Sequence, residues 1–533
     1  MTVVLTAPES AGEQPAAPPR PLRQRFPIGA VVVSMILSVG LRARFLFTPL
    51  TSDEGGYLVV ARGWASGRRL YGDAWVDRPQ GLIVVYRLWD DLTGGSAPAI
   101  RVMAMVFGCI AIGAAAYVAL ALAGARAAAA AAFLVAVASS NARIEGFIAN
   151  GELMAGATGA AGVALACASL LRGRGAWWLF AGGVVAGCAV SIKQSGCDGL
   201  VAVLACAVAG MLTGERSWPQ VLRECATFLA GVTTVMTALV VHGAVIGLDA
   251  WWYAVAGYRL DTVNATSHAQ WGRLAQTARL AAPTILPLVV AAVIGVLVWL
   301  RRRPTRSRSS VLLPAWLLFS IVTFLAGGMF HRHYWITLTF PLAVAAGVAV
   351  SHLRSHHHLV IVSALLAAPS LVSTLQVVRM DRVQASFVAS GDPRSITNEL
   401  VGDWYLEHRT PGSTIYAMCA SAALYADIDS LPPYPYLWFD GVQGGRGAQE
   451  ALVRLFAGDR APTFVVVYQG AQECNPSGRV ASVLRERYTE IATVDGRPIL
   501  ELSSMRPDHL PNDAASEASR PVAGPQTSHA AEG

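Results

Sequence analysis

An apolar run and two adjacent carboxylates follow one another in residues 28–57, IGAVVVSMILSVGLRARFLFTPLTSDEGGY. The run from Ile28 to Phe47 matches the about 20 apolar residues that an α-helix needs to cross a bilayer. It is longer than the apolar core of a signal peptide, and no small-residue cleavage site comes before the next polar segment. We therefore expect the run to remain in the protein as a membrane anchor.

The composition extends this expectation to the whole chain. Of the 533 residues, 54% are hydrophobic and only 14% are charged, and the mean hydropathy of +0.46 is too high for a soluble protein of this size. The net charge is +7, and every basic residue except Lys193 is an arginine. Because the arginines cluster at the ends of apolar runs, anionic lipid head groups are nearer partners for them than nucleic acid. We predict a polytopic α-helical membrane protein with membrane lipids, and no nucleic acid, as partners.

About eleven apolar runs are long enough to cross the membrane. The short loops on one side of these runs are rich in arginine, and the positive-inside rule places that side in the cytoplasm. The predicted N-terminus is therefore cytoplasmic and the C-terminus extracytoplasmic. One feature opposes this orientation, because the outer loop 49–97 carries five arginines, but long loops weigh little in the rule. The predicted spans are 28–48, 98–121, 126–141, 152–171, 176–192, 197–213, 224–247, 279–300, 310–329, 334–350 and 359–376.

The composition changes after the last span, where charged residues return. Stretches suited to β-strands occur at 414–418, 463–468 and 499–502, with helical patterns at 396–407, 448–456 and 480–487. This alternation predicts a small α/β domain outside the membrane. The expected organisation is a disordered cytoplasmic tail (1–27), a transmembrane domain (28–376), an extracytoplasmic α/β domain (377–504) and a second disordered tail (505–533).

Two of the eight cysteines differ from the rest. Six lie in or beside predicted spans, where a thiol behaves as a small hydrophobic group. Cys419 and Cys474 each follow a predicted strand in the domain placed outside, where disulfides persist. We predict a disulfide between them.

Asp53 and Glu54 come directly after the first span. Carboxylates at membrane depth are costly and mark functional sites, and a carboxylate is suited to taking the proton from a hydroxyl group. Asp53 is the stronger candidate for this base, with Glu54 beside it. The alternative is a helix cap, in which Asp53 only accepts backbone N–H groups.

The same loop continues with YGD at 71–73 and VDRPQG at 76–81, which precede a short apolar helix. Asp73 is a candidate for orienting a substrate hydroxyl, and Arg78 is a candidate for binding a phosphate. Arg78 has an equally simple alternative, because arginine side chains extend to lipid head groups at membrane surfaces.

Two charged residues stand at outer ends of later spans. Glu152 opens the fourth span after the sequence GFIAN, and Lys193 closes the fifth span in SIKQS at 191–195. A single lysine among arginines suggests a site that requires a compact point charge, such as one that neutralises a lipid phosphate. The alternative for Glu152 is a carboxylate at the start of a helix, where the helix dipole favours it. The alternative for Lys193 is a side chain that extends to the membrane interface. Glu145 is a weaker candidate and fits a solvated loop.

The sequence FHRHYW at 330–335 precedes the tenth span. Cations and a hydroxyl at this position are suited to binding a single phosphate group and stabilising it as it leaves. The candidates are His331, Arg332, His333 and Tyr334. Their alternative is the aromatic belt that occurs at both membrane interfaces.

Taken together, these motifs resemble the outer loops of the GT-C glycosyltransferases. The order DE-x-x-Y, Y-x-D and R-P-x-G in the first outer loop is most similar to the bacterial branch akin to protein O-mannosyltransferases and the aminoarabinose transferases of lipid A (family 39). The resemblance implies that Asp53 is the catalytic residue and that Arg78 stands where the family has a lysine followed by two prolines. It continues at Asn150, Glu152, Lys193 and the His-Tyr signature, and so covers most of the membrane region.

The resemblance implies a membrane glycosyltransferase of the bacterial plasma membrane. It would transfer a hexosyl or pentosyl group, mannose being one example, from a polyprenyl-phosphate-linked sugar donor to a glycan, lipid or protein acceptor of the cell envelope. We expect inversion at the anomeric carbon and no required cofactor, although the outer carboxylates leave room for a divalent metal ion. The rival class is a transporter or flippase of lipid-linked or cell-envelope precursors, which we expect to show mid-span charges and repeated halves.

Overall fold

The computed structural model describes residues 25–263, 267–302, 307–392, 394–419 and 421–503. Apart from residues 25–27, the two predicted disordered tails lie outside the described residues.

Helices account for about four fifths of the described residues between 28 and 378. Among the described residues, seven helices are long and apolar enough to cross a membrane, and four shorter apolar helices (α1, α5, α7 and α8) occupy the other predicted positions. The prediction of a polytopic helical fold is confirmed. The helices are α1 (Ile28–Ala43), α2 (Ser52–Ala65), α3 (Gln80–Thr93), α4 (Ala97–Ala123), α5 (Ala125–Ala138), α6 (Gly151–Leu170), α7 (Ala176–Ile192), α8 (Asp198–Leu212), α9 (Trp218–Ile246), α10 (Leu248–Trp252), α11 (Tyr258–Val263), α12 (Ser267–Arg302), α13 (Ser309–Ala326), α14 (Trp335–Ser351) and α15 (His356–Val378).

Small residues allow the helices of the membrane region to pack closely. Where α6 meets α7, a β-carbon added to Gly182 would lie 3.0 Å from the backbone nitrogen of Ala166. Where α7 meets α9, a β-carbon added to Gly183 would lie 2.0 Å from the carbonyl oxygen of Phe228. Helices in lipid associate through such close contacts because burial of apolar surface gives them little driving force.

Two buried arginines hold the loops at one end of the bundle. Arg42 in α1 donates to the carbonyl oxygens of Gly146 at 2.8 Å and Ser139 at 2.7 Å. Arg101 in α4 donates to the carbonyl oxygen of Pro49 at 2.8 Å. Each side chain is about 1% exposed. These bonds fix the segments before α2 and before α6, which both carry candidate site residues.

The C-terminal region forms the predicted α/β domain, with a sheet in the order β1-β2-β4-β3. Strands β1 and β2 are parallel, and β4 is antiparallel to both β2 and β3. The sequence pattern missed β3, because this edge strand is largely exposed and shows little apolar alternation. The elements are α16 (Arg382–Ser390), α17 (Arg394–His408), β1 (Ile415–Ala417), α18 (Ala422–Asp427), α19 (Phe439–Gly444), α20 (Ala448–Ala457), β2 (Phe464–Val466), α21 (Ala471–Cys474), α22 (Arg479–Arg487), β3 (Tyr488–Val494) and β4 (Arg497–Leu502).

Candidate active site

A polar cavity of about 600 Å³ lies between the membrane region and the C-terminal domain. The membrane region contributes Asp53, Arg78 and His333, and the C-terminal domain contributes Trp438 and Asp440. Residues from the first outer loop, from the start of α14 and from the C-terminal domain therefore meet at one place, although hundreds of positions separate them in the sequence.

Asp53 faces this cavity from the first turn of α2. One carboxylate oxygen accepts the indole N–H of Trp438 at 3.1 Å. Within the described part of the chain, Asp53 and Asp440 are the two cavity carboxylates that have no ion-pair partner. Asp53 is therefore available to accept a proton from a bound hydroxyl group.

Glu54 points away from the cavity and is fully buried. Its carboxylate pairs with Arg101 at 2.6 Å and accepts the backbone N–H groups of Ala149 at 3.0 Å and Thr51 at 3.1 Å. These bonds occupy Glu54 in joining α2 to α4 and to the start of α6. Glu54 therefore has a structural role in the described residues. It was predicted as a second catalytic carboxylate, but it does not face the cavity.

Two other predicted site residues line neither of the cavities described in this section. Asp73 is exposed and accepts the backbone N–H of Arg69 at 3.0 Å, which closes its own turn. Arg332 donates to the carbonyl oxygen of Val388 at 2.8 Å and packs against Gly391. Gly391 has a φ of +68°, and a β-carbon there would lie 2.8 Å from the guanidinium carbon of Arg332. Arg332 therefore holds the end of α16 and does not face the cavity, contrary to the prediction.

Four ionisable residues form a buried chain that starts at Glu145 and His333 in the polar cavity. His333 Nδ1 lies 2.6 Å from Glu145 Oε2, and His333 Nε2 lies 3.6 Å from Glu152 Oε1. Glu152 in turn pairs with Lys193, whose ammonium group lies 4.2 Å from the ring centre of Tyr334. The structure thus brings together candidate residues from three predicted outer loops. Glu145 is among them, although the sequence analysis made it a weaker candidate.

Arg78 belongs to a second charged group, beside the first. Its guanidinium pairs with Asp77 at 2.7 Å, and Asp77 also pairs with Arg259. Burial alone would raise the pKa of the Asp77 carboxyl, but Arg259 and Arg78 outweigh it and hold that pKa below its usual range. Arg78 Nε is buried without a hydrogen-bond partner in the described structure. The sequence analysis did not identify Arg259 as a site residue. Its position in the outer loop between the predicted spans 224–247 and 279–300 could have indicated it.

A second, largely apolar cavity of about 410 Å³ adjoins the polar one. Val255, Leu260 and Phe324 contribute apolar walls, and Glu152, Lys193 and Tyr334 lie at its charged end. Arg78 and Arg259 line both cavities. The apolar cavity, which we call the apolar groove, therefore meets the polar cavity, which we call the polar chamber, at Arg78 and Arg259. Lys193 lies close by.

Aromatic rings form one wall of the polar cavity. The ring of Trp75 lies 4.9 Å from that of Tyr258 and 5.0 Å from that of Tyr436, measured between centroids. Trp75 Nε1 is buried and has no hydrogen-bond partner among the described residues. A ring face beside an unused N–H group suits a polyhydroxylated ligand, whose C–H groups pack on rings and whose hydroxyls accept hydrogen bonds.

Cys419 and Cys474 are joined by a disulfide, with their Cα atoms 5.7 Å apart. The other six cysteines are free. In the part of the chain that the structure describes, no group of three or more His, Cys, Asp or Glu side chains is arranged to hold a metal ion.

No protein-family model matches the sequence, and no curated protein matches it. Several solved structures nevertheless share its fold. ArnT from Cupriavidus metallidurans bound to undecaprenyl phosphate superposes with a TM-score of 0.61 at 14% identity, over 89% of this chain and 98% of ArnT. The oligosaccharyltransferase AglB from Archaeoglobus fulgidus, in complex with an inhibitory peptide and a dolichol-phosphate, gives a TM-score of 0.50 at 12% identity, over 90% of this chain and 74% of AglB. The GT-C fold that the sequence motifs suggested is therefore confirmed.

Proposed function

We propose that the protein is a membrane glycosyltransferase that moves a sugar from a polyprenyl-phosphate carrier to a hydroxyl group of an acceptor. The observation that carries the proposal is the meeting of an apolar groove and a polar chamber at Arg78 and Arg259. A lipid-linked sugar has the same three parts, an apolar chain, a phosphate and a polar sugar. Two proteins of the same fold, ArnT and AglB, have been solved with a polyprenyl phosphate.

The charged end of the groove supports binding of the carrier phosphate. Arg78, Arg259 and Lys193 contribute three cations there, against the two carboxylates of Asp77 and Glu152. The excess positive charge suits the single negative charge of a phosphodiester. The apolar walls of the groove suit the first isoprene units of the carrier.

The reaction is a single displacement. Asp53 takes the proton of the acceptor hydroxyl, and the oxygen attacks the anomeric carbon from the side opposite the phosphate. The bond between the anomeric carbon and the phosphate oxygen breaks, its electron pair stays with the phosphate, and the configuration at the anomeric carbon inverts. Arg78, Arg259 and Lys193 stabilise the negative charge that develops on the leaving phosphate.

We propose that this chemistry requires no metal ion, because Asp77, Glu145 and Glu152 are already paired with cationic or histidine side chains. We propose the substrates by chemical class. The transferred group is a hexose such as mannose or a pentose, and the acceptor is a glycan, lipid or protein of the cell envelope.

The site is expected to lie on the extracytoplasmic face of the bacterial plasma membrane. Reporters fused after residue 376 should then read as extracytoplasmic, because the arginine-rich loop 301–308 stays in the cytoplasm. A reporter inserted in loop 301–308 is the control and should read as cytoplasmic. The reverse pattern would place the cavity inside the cell and exclude this orientation.

Deletion of the gene tests the function itself. The expected result is the loss of one sugar from wall glycans, glycolipids or secreted glycoproteins, with restoration by the parent gene and accumulation of the unused lipid-linked donor. Unchanged glycans together with an altered distribution of lipid-linked precursors across the membrane would contradict transfer and favour a flippase.

A further inference from the structure

Residues 429–446, which we call the docking segment, are one of the parts of the C-terminal domain that line the polar cavity. The backbone of this segment accepts hydrogen bonds from three residues of the membrane region. Arg68 donates to the Pro432 carbonyl oxygen at 2.8 Å, and the Trp75 backbone N–H donates to the Pro435 carbonyl oxygen at 3.2 Å. The Tyr253 hydroxyl donates to the Gly444 carbonyl oxygen at 3.2 Å.

Covalent structure also restrains the docking segment. It lies inside the loop that the disulfide between Cys419 and Cys474 closes, with a sequence separation of 55 residues. At one end of the segment, Asp429 pairs with Arg62 in α2 at 3.0 Å. The segment is therefore held at several points against the membrane region, and one of these points is on α2, the helix that carries Asp53.

Trp438 is the residue of the docking segment that reaches Asp53. Its ring lies over the start of α2, where a β-carbon added to Gly56 would come within 2.4 Å of the ring, so only glycine leaves room for it. The ring centroid lies 5.6 Å from that of Tyr57. This packing directs the indole N–H to Asp53 Oδ1 at 3.1 Å.

We infer that Trp438 is a positioning residue, supplied by the C-terminal domain, which fixes the carboxylate of Asp53 for proton abstraction. The inference rests on the proposed function. Asp53 has no ion pair within the described residues, so a neutral N–H donor holds one carboxylate oxygen and leaves the charge intact. The second oxygen is then held towards the cavity. Such a bond to a charged acceptor restricts the side chain to one orientation, and proton transfer depends on that orientation.

Two replacements test this role. Trp438→Phe keeps an aromatic ring but loses the N–H, and benzothienylalanine at position 438 keeps the shape of the indole with sulfur in place of the N–H. Both should lower the rate of transfer about 10- to 100-fold at saturating donor, the range for loss of a hydrogen bond to a charged group. The KM for the donor, the affinity for undecaprenyl phosphate and the melting temperature should stay at the parent values.

Transfer is measured as restoration of the missing sugar by membranes of the deletion strain that contain each variant. Undecaprenyl phosphate is the binding probe on purified full-length protein. Trp404→Phe is the matched control, because Trp404 belongs to the same domain but stacks on His408, outside both cavities. This control should transfer at the parent rate.

The outcomes separate the inference from the function on which it rests. Parent-like transfer by the benzothienylalanine protein would overturn the role of the N–H while leaving the glycosyltransferase proposal intact. A joint fall in transfer, lipid binding and melting temperature would show that Trp438 is only structural, which also overturns the inference. A parent protein that restores no sugar would overturn the proposed function and the inference together.

Discussion

Transfer by the Asp53→Asn protein is expected to fall by about 10²- to 10⁴-fold, the contribution of a general base. Asparagine keeps the size of the side chain and can still accept the Trp438 N–H, but it cannot take the acceptor's proton. Binding of undecaprenyl phosphate should be unchanged, because a base acts only as the acceptor oxygen attacks. The rate is measured as restored sugar in membranes of the deletion strain, and binding is measured on purified protein.

Asp73→Asn is the matched control for Asp53→Asn. It makes the same substitution in the same loop, at a carboxylate that faces neither cavity, and it should leave transfer at the parent rate. Lys193→Met should differ from Asp53→Asn by weakening the binding of undecaprenyl phosphate as well as slowing transfer, since the phosphate charge is present as soon as the carrier docks and grows as the carrier leaves. If the Asp53→Asn protein transferred sugar at nearly the parent rate, Asp53 would be excluded as the base, and Asp440 would become the next candidate.

Arg101→Met is expected to lower the free energy of unfolding by about 3 to 5 kcal/mol, the cost of leaving one member of a buried ion pair without its partner. Glu54 is fully buried, and its contact with Arg101 Nη1 at 2.6 Å is its one ion pair in the described structure. The change also removes the bond to Pro49 that holds the segment before α2. Thermal unfolding of the purified protein in detergent measures the effect.

The double variant Arg101→Met with Glu54→Gln should recover much of this loss, because it removes both charges at once and the amide oxygen still accepts backbone N–H groups. Arg126→Met is the control for loss of an arginine, since Arg126 is exposed and bonds only to carbonyl oxygens among the described residues. If the double variant were as unstable as Arg101→Met alone, the unpaired Glu54 charge would not be the cause.

The sequence predicted the helical fold well because crossing a bilayer requires a long apolar run, and such runs are visible one residue at a time. It predicted the wrong surroundings for Glu54 because adjacent residues of a helix point about 100° apart. Asp53 therefore faces the cavity and Glu54 faces Arg101. Two neighbouring carboxylates look alike in a sequence, and only the packing of α2 distinguishes them.

Contacts between distant segments were beyond sequence reasoning. Asp53 and Trp438 are separated by 385 positions, and no local pattern marks an indole that will reach a carboxylate in another domain. Arg259 escaped notice for a similar reason, because its partner Asp77 lies in the first outer loop. By contrast, Glu152, Lys193, His333 and Tyr334 were found because each stands at an apolar boundary, where a polar side chain is conspicuous.

The sharing of Arg78 and Arg259 between the two cavities has a consequence for turnover under the proposed mechanism. The donor is a phosphodiester with one negative charge, whereas the spent carrier is a phosphomonoester that carries about 1.5 to 2 negative charges at neutral pH. The cations that stabilise the departing phosphate therefore hold the product more tightly than the substrate. Under the proposed mechanism this tighter binding slows release of the spent lipid into the bilayer, and unloaded carrier in the membrane would act as a competitive inhibitor of the enzyme.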